Sequence, residues 1–174
     1  MIAAPPRRIV KIAVSDSNVS VRPAIVSDIH GIRAALQETW ADIYQGVIPG
    51  EMQADLFQNW YSEDALRAAI RDSTFLVAVA RRAIIGFIQL TANRVEGHSI
   101  GRIYVVPSYE HYGIGTRLLE RALRDAGPGS IRAIVEERNE KAHRFYERQG
   151  FTPVDKRVMN FFGHGLPVIT YKKP

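Results

Sequence analysis

Residues 103–123, IYVVPSYEHYGIGTRLLERAL, run from an apolar strand through a proline and a glycine-containing turn into a helix. The first backbone N–H groups of a helix lack intrahelical acceptors, and small residues beside them let an anion oxygen approach the main chain. The chemistry on offer is capture of a phosphate or diphosphate by backbone donors, with Gly113 and Gly115 as the small residues and no lysine required. The same two glycines would also suit a plain strand-to-helix turn. GxxxxGK[ST] is absent, and GIGTRL lacks the third glycine of the dinucleotide fingerprint. A second stretch, VEERNEKAHRFYERQGF (135–151), puts Asn139 at a helix start and spaces Ala142, Phe145, Tyr146 and Gln149 to share a face. An amphipathic helix with an aromatic core stripe would show the same spacing.

Other chemistries are narrowed by composition. With no cysteine there is no disulfide framework, thiolate zinc site, iron-sulfur cluster or cysteine nucleophile. His98, His111 and His164 fit no metal-ligand spacing, so no metal is expected. The net charge of +5 raises the question of nucleic acid, but Arg117, Arg121 and Arg124 are interspersed with Glu120 and Asp125, which describes a solvated helix face. Residues 21–72 hold eight acids (Asp28, Glu38, Asp42, Glu51, Asp55, Glu63, Asp64, Asp72) against Arg22, Arg33, Arg67 and Arg71, a balance of −4. An acidic first third joined to a basic remainder suits a polyanionic ligand at one end and a cationic one at the other.

The elements that must position these residues follow from periodicity. The chain of 174 residues, 46% hydrophobic, is sized for one domain, expected over 19–174 behind a loose leader at 1–18. No apolar run approaches the ~20 residues of a membrane span, and MIAAPPRRIV lacks the order of a secretory signal, so a cytoplasmic protein is expected. VSVRPAI reads as a short strand, and Ser27 with Asp28 as the start of a helix to about Thr39. Helices follow at about 51–60 and 62–71, the latter capped by Ser62. FLVAVA and AIIGFIQL form a hairpin through Arg81 and Arg82; SIGRIYVV is a strand stopped by Pro107; a helix runs from Gly113 to Gly127. A strand at 131–135, a helix from Asn139 closed by Gly150, and strands at 154–162 and 166–171 complete about seven strands and four or five helices. The class is α+β, with a mixed, mostly antiparallel sheet.

Together the two motif stretches resemble the GCN5-related N-acetyltransferase (GNAT) superfamily. The matching residues are Val105-x-Pro107-x-Tyr109-Glu110-His111-Tyr112-Gly113-Ile114-Gly115-x-x-Leu118-Leu119, then Asn139-x-x-Ala142-x-x-Phe145-Tyr146-x-x-x-Gly150-Phe151. RPA-x-x-x-D-I and W-x-x-x-Y-x-x-x-x-P in 20–98 look like the acceptor-side opening of small-molecule members.

The resemblance implies the GNAT fold, with the fourth and fifth strands splayed apart and the pantetheine arm of acetyl-CoA lying between them. On that reading Tyr104 and Val105 face the arm, and the N–H groups from His111 through Tyr112, Gly113, Ile114, Gly115 and Thr116 cradle the diphosphate. Asn139, Ala142 and Phe145 form the other wall, and one of Arg138, Lys141 and Arg144 meets a phosphate. The reaction implied is direct attack of a small-molecule amine on the thioester, the Ile103 N–H polarising the thioester oxygen and Tyr146 donating to the leaving thiolate. Glu38, Asp42 and Tyr44 are the acceptor-side candidates, where acids would favour a cationic amine. Glu110 replaces the usual Arg or Gln and is expected to turn outward. Ser99 stands where several members carry a glutamate base, leaving Glu96, His98, Glu38 or Asp42 to receive the proton. A protein or peptide acceptor, or a non-catalytic acyl-CoA-binding module, are the alternatives, and a homodimer would be in keeping with the superfamily.

Overall fold

The computed structural model describes residues 18–43, 48–93 and 97–174. The leader, apart from Asn18, lies outside these residues, as do Tyr44 and Glu96. Seven strands form one sheet: β1 Val19–Pro23, β2 Thr74–Ala80, β3 Ala83–Asn93, β4 Gly97–Val105, β5 Ile131–Glu136, β6 Thr152–Phe161 and β7 His164–Lys173. Their order across the sheet is β1-β2-β3-β4-β5-β7-β6. Every pairing is antiparallel except β4 with β5. The five helices are α1 Ile29–Ile43, α2 Gly50–Trp60, α3 Glu63–Asp72, α4 Ile114–Ala126 and α5 Glu140–Arg148.

Period-two alternation gives the sheet two apolar faces, and each is covered. On one, α1 to α3 contribute Ile32, Leu36, Met52 and Leu66 against Val77 and Phe87. On the other, α4 contributes Ile114, Leu118, Leu119 and Ala122, and α5 contributes Tyr146, against Ile88, Ala133 and Val135. Ser62 caps α3 by accepting from the Ala65 N–H at 3.2 Å, as its position predicts.

Two local readings are corrected. Ser27 does not cap α1: residues 26–28 form a 3-10 turn and the helix proper begins at Ile29. Asp28 instead turns back to accept from the Ile25 N–H at 2.9 Å and from both terminal nitrogens of Arg22 at 2.6 and 2.9 Å. The last two strands, expected at 154–162 and 166–171, are longer and closer: only Phe162 and Gly163 separate β6 from β7, and ladder pairing extends to Phe161 and His164.

The feature that matters for function is a short parallel pairing. Only His98, Ser99 and Ile100 of β4 pair with β5, opposite Ile131, Arg132 and Ala133. Beyond them the strands diverge, and the sheet opens between Gly101–Val105 and Ile134–Glu136.

Candidate functional site

The opening is a cleft of about 710 Å³ walled by β4, the turn into α4, the end of β5 and α5. From Gly101 onward β4 has no β5 partner, so its backbone groups on that edge are unspent. Which groups these are follows from the ladder to β3. The Val106 N–H donates to the Ile85 carbonyl at 2.9 Å, and the register runs unbroken through Val105, Tyr104 and Ile103 opposite Gly86, Phe87 and Ile88. Donors alternate along an antiparallel strand, so the N–H groups of Val105 and Ile103 face the cleft. Thr39 Oγ1, held chiefly by the Ala35 carbonyl at 2.7 Å, also lies 3.5 Å from the Val105 carbonyl.

The turn into α4 supplies donors of a second kind. No side chain caps the helix, and Arg117 donates the first backbone bond, to Gly113, so the amides of Ile114, Gly115 and Thr116 are left to the cleft they line. Gly113 has φ of 71°, a left-handed conformation with open space where a Cβ would stand. Gly115 serves a different purpose from close anion approach alone: a Cβ there would lie 3.1 Å from Phe145 Cε2. Its lack of a side chain lets α5 close on α4. His111 also has positive φ, at 68°.

The α5 wall is anchored by Asn139, whose side chain accepts from the Ala142 N–H at 3.1 Å. Tyr146 is buried between Phe151, edge-on at 5.2 Å, and Tyr171, stacked at 6.0 Å. Burial, reinforced by the nearby Tyr104 phenol, raises the pKa of its hydroxyl far above that of free tyrosine, so the group stays protonated at any physiological pH. Tyr104 Oη in turn lies 3.4 Å from Tyr61 Oη, just past the end of α2.

Of the residues singled out beforehand, Ile103, Tyr104, Val105, His111, Gly113, Ile114, Gly115, Thr116, Asn139, Ala142, Phe145 and Tyr146 all line the cleft. Tyr112 does not, and is 46% exposed. Glu38 is exposed and outside the lining, and His98 and Ser99 sit where β4 is still paired with β5, below the opening. Asp42 is also outside it, bound to Lys141 Nζ at 2.5 Å. Glu110 is not turned outward. Its carboxylate lines the cleft, only 23% exposed, because Lys141 reaches it at 3.2 Å from across the mouth. None of the eight acids of residues 21–72 lines the cleft. Three charged residues that do, Arg102, Glu136 and Arg148, went unremarked; for the first two, a charge on a largely apolar strand was the available signal. The Glu136 side chain is only 3% exposed and accepts from the Arg138 N–H at 2.9 Å. No cluster of three or more potential metal ligands occurs among the described residues, nor any helix long and apolar enough to cross a membrane.

Residues 71–153 match the model of the acetyltransferase (GNAT) domain. None of the curated proteins matches the sequence. Among solved structures, the PaiA N-acetyltransferase of Thermoplasma acidophilum, in complex with coenzyme A, aligns over 89% of this chain and 99% of its own, with 26% identity and a TM-score of 0.72. A GCN5-related N-acetyltransferase of Rhodopseudomonas palustris aligns over 92% and 98%, with 20% identity and a TM-score of 0.74. The acetyltransferase yncA of Salmonella typhimurium, with its cofactor acetyl-CoA, aligns over 90% and 93%, with 17% identity and a TM-score of 0.62. The separated strands, the uncapped turn into α4 and the domain match agree: residues 71–153 are similar to the acetyltransferase (GNAT) domain, on a fold shared with the acetyltransferases above.

Proposed function

We propose that the protein transfers the acetyl group of acetyl-CoA to a primary amine of a small molecule. The observation that carries this is the cleft itself, in which strand-edge donors at Ile103 and Val105 continue into the free helix-start donors at 114–116. That line of donors suits a ligand with an amide-bearing arm at one end and a diphosphate at the other. Acetyl-CoA supplies an activated thioester.

The residues then divide the work. The Ile103 N–H aims at the thioester oxygen, where negative charge develops. Tyr146, kept protonated by burial, gives its proton to the departing sulfur. Two carboxylates line the cleft; Lys141 engages Glu110 at the mouth, and Glu136, held on the β5 wall by the Arg138 N–H at 2.9 Å and its guanidinium at 3.5 Å, is the one assigned to receive the amine proton. The balance is one C–N bond formed, one C–S bond broken, and a proton moved from nitrogen to sulfur.

The test is heat on titration with coenzyme A, followed by thiol release from acetyl-CoA over a panel of amines. Tyr146→Phe is expected to lower kcat about 100-fold while leaving coenzyme A affinity within a few-fold. Equal turnover by the variant would remove Tyr146 from its role, and binding without turnover on every amine would favour a non-catalytic acyl-CoA-binding module.

A further inference from the structure

We propose that the acceptor carries a carboxylate close to its amine and that Arg102 holds it, an assignment that rests on the acetyl-transfer reading above. Four cations line the cleft: Arg102, Lys141, Arg144 and Arg148. Lys141 is engaged by Asp42 and Glu110, and Arg144 by Glu140 at 3.0 Å. Arg148 is exposed at the last residue of α5, on the wall across the cleft from β4. Arg102 has no carboxylate partner among the described residues. Its guanidinium lies over the Tyr61 ring at 4.7 Å and donates to the Trp60 carbonyl at 3.0 Å. Stacking and one hydrogen bond fix the plane of the fork, and most of its five N–H donors remain for a planar oxyanion.

Its place in the fold makes this an acceptor-side group. Side chains alternate along β4, so Ile103 packs with the α4–α5 layer while Arg102 reaches Trp60 and Tyr61 at the end of α2. An acceptor entering from the α2–α3 side meets Arg102 one residue before the Ile103 N–H. A polyamine would bring like charge to it. An amino acid would bring its carboxylate to the guanidinium and its nitrogen to the thioester carbon, on the side where Glu136 lines β5. Ile134, 41% exposed on the β5 wall, offers apolar surface to a side chain. The products are the N-acetyl amino acid and free coenzyme A thiol, with the amine proton transferred to sulfur.

The experiment uses the full chain and matched acceptors: phenylalanine and leucine, their carboxamides, and spermidine. The parent is expected to favour each acid over its amide at least about tenfold in kcat/KM, the scale of a charge-assisted hydrogen-bond pair. In Arg102→Leu the preference should fall to about twofold or less, chiefly through KM, with Arg102→Lys retaining part of it. Coenzyme A binding by calorimetry should stay within about twofold in both variants, which also reports that they fold. A parent that prefers the amides or spermidine, one that binds coenzyme A but turns over neither amino acid, or an Arg102→Leu that keeps the preference overturns the assignment. Absence of coenzyme A binding and of turnover on every amine would instead sink the acetyl-transfer reading.

Discussion

Glu110 places a second negative charge beside the donors at 111–116, where the diphosphate is proposed to sit. Among the described residues Lys141 bridges Glu110 and Asp42 at the cleft mouth, and those carboxylates raise its pKa, chiefly Asp42, against the opposing effect of burial. It therefore stays charged, yet within this cluster two carboxylates stand against one ammonium, a local balance of −1. Glu110→Gln should tighten coenzyme A binding about three- to tenfold at low ionic strength, and the gain should shrink toward zero near 0.5 M salt as screening takes over. Calorimetry at two salt concentrations decides it. Weaker binding by the variant would mean that Glu110 is needed to hold Lys141 as a phosphate contact.

At the scale of elements, the cleft depends on how closely α4 and α5 approach. Gly113 and Gly115 look alike in sequence and act differently: one adopts a left-handed φ in open space, the other yields room to Phe145. Gly113→Ala should lower stability by about 1 kcal/mol through backbone strain, with coenzyme A affinity falling only modestly. Gly115→Ala should displace Phe145, which packs edge-on against Tyr146 at 5.3 Å, and weaken coenzyme A binding more than it lowers the melting temperature. Urea titration beside calorimetry separates the two. Elements bounded by local punctuation were legible in the sequence: α3 from Ser62, α4 between Gly113 and Gly127, α5 from Asn139 to Gly150. The strand separation was legible only through family resemblance, because a pairing that ends at Ile100 and Ala133 is a long-range property with no local signature. Arg102 and Glu136 were missed for a related reason. Alternation assigns a charge in a strand to solvent, and only the tertiary fold turns that face toward a cleft.

For the molecule as a whole, the sheet is the spine between two helical layers, and its edge at β1 is pinned at a distance from the cleft. Arg22 on β1 and Asp28 before α1 make a two-point ion pair, and the Ile25 N–H adds a third bond to the same carboxylate. These bonds, led by that to Arg22, hold the Asp28 pKa below its ordinary value despite burial. A carboxyl depressed in the folded state contributes stability that is fully present above its unfolded value, roughly 3.9, and is lost as pH falls through the folded one. Asp28→Asn should therefore melt a few degrees below the parent at pH 7, with about 2–4 °C expected per kcal/mol for a chain of this size. The gap should narrow as the pH is lowered from about 5 toward 2.5, because the parent then loses the charge that the variant never had. Urea midpoints across that range measure it, and a gap that stays constant to the lowest pH would assign the stabilisation to packing at this edge rather than to the ion pair. Coenzyme A affinity at pH 7 should be the same in both proteins, since the pinned edge and the cleft are separated by β2 and β3.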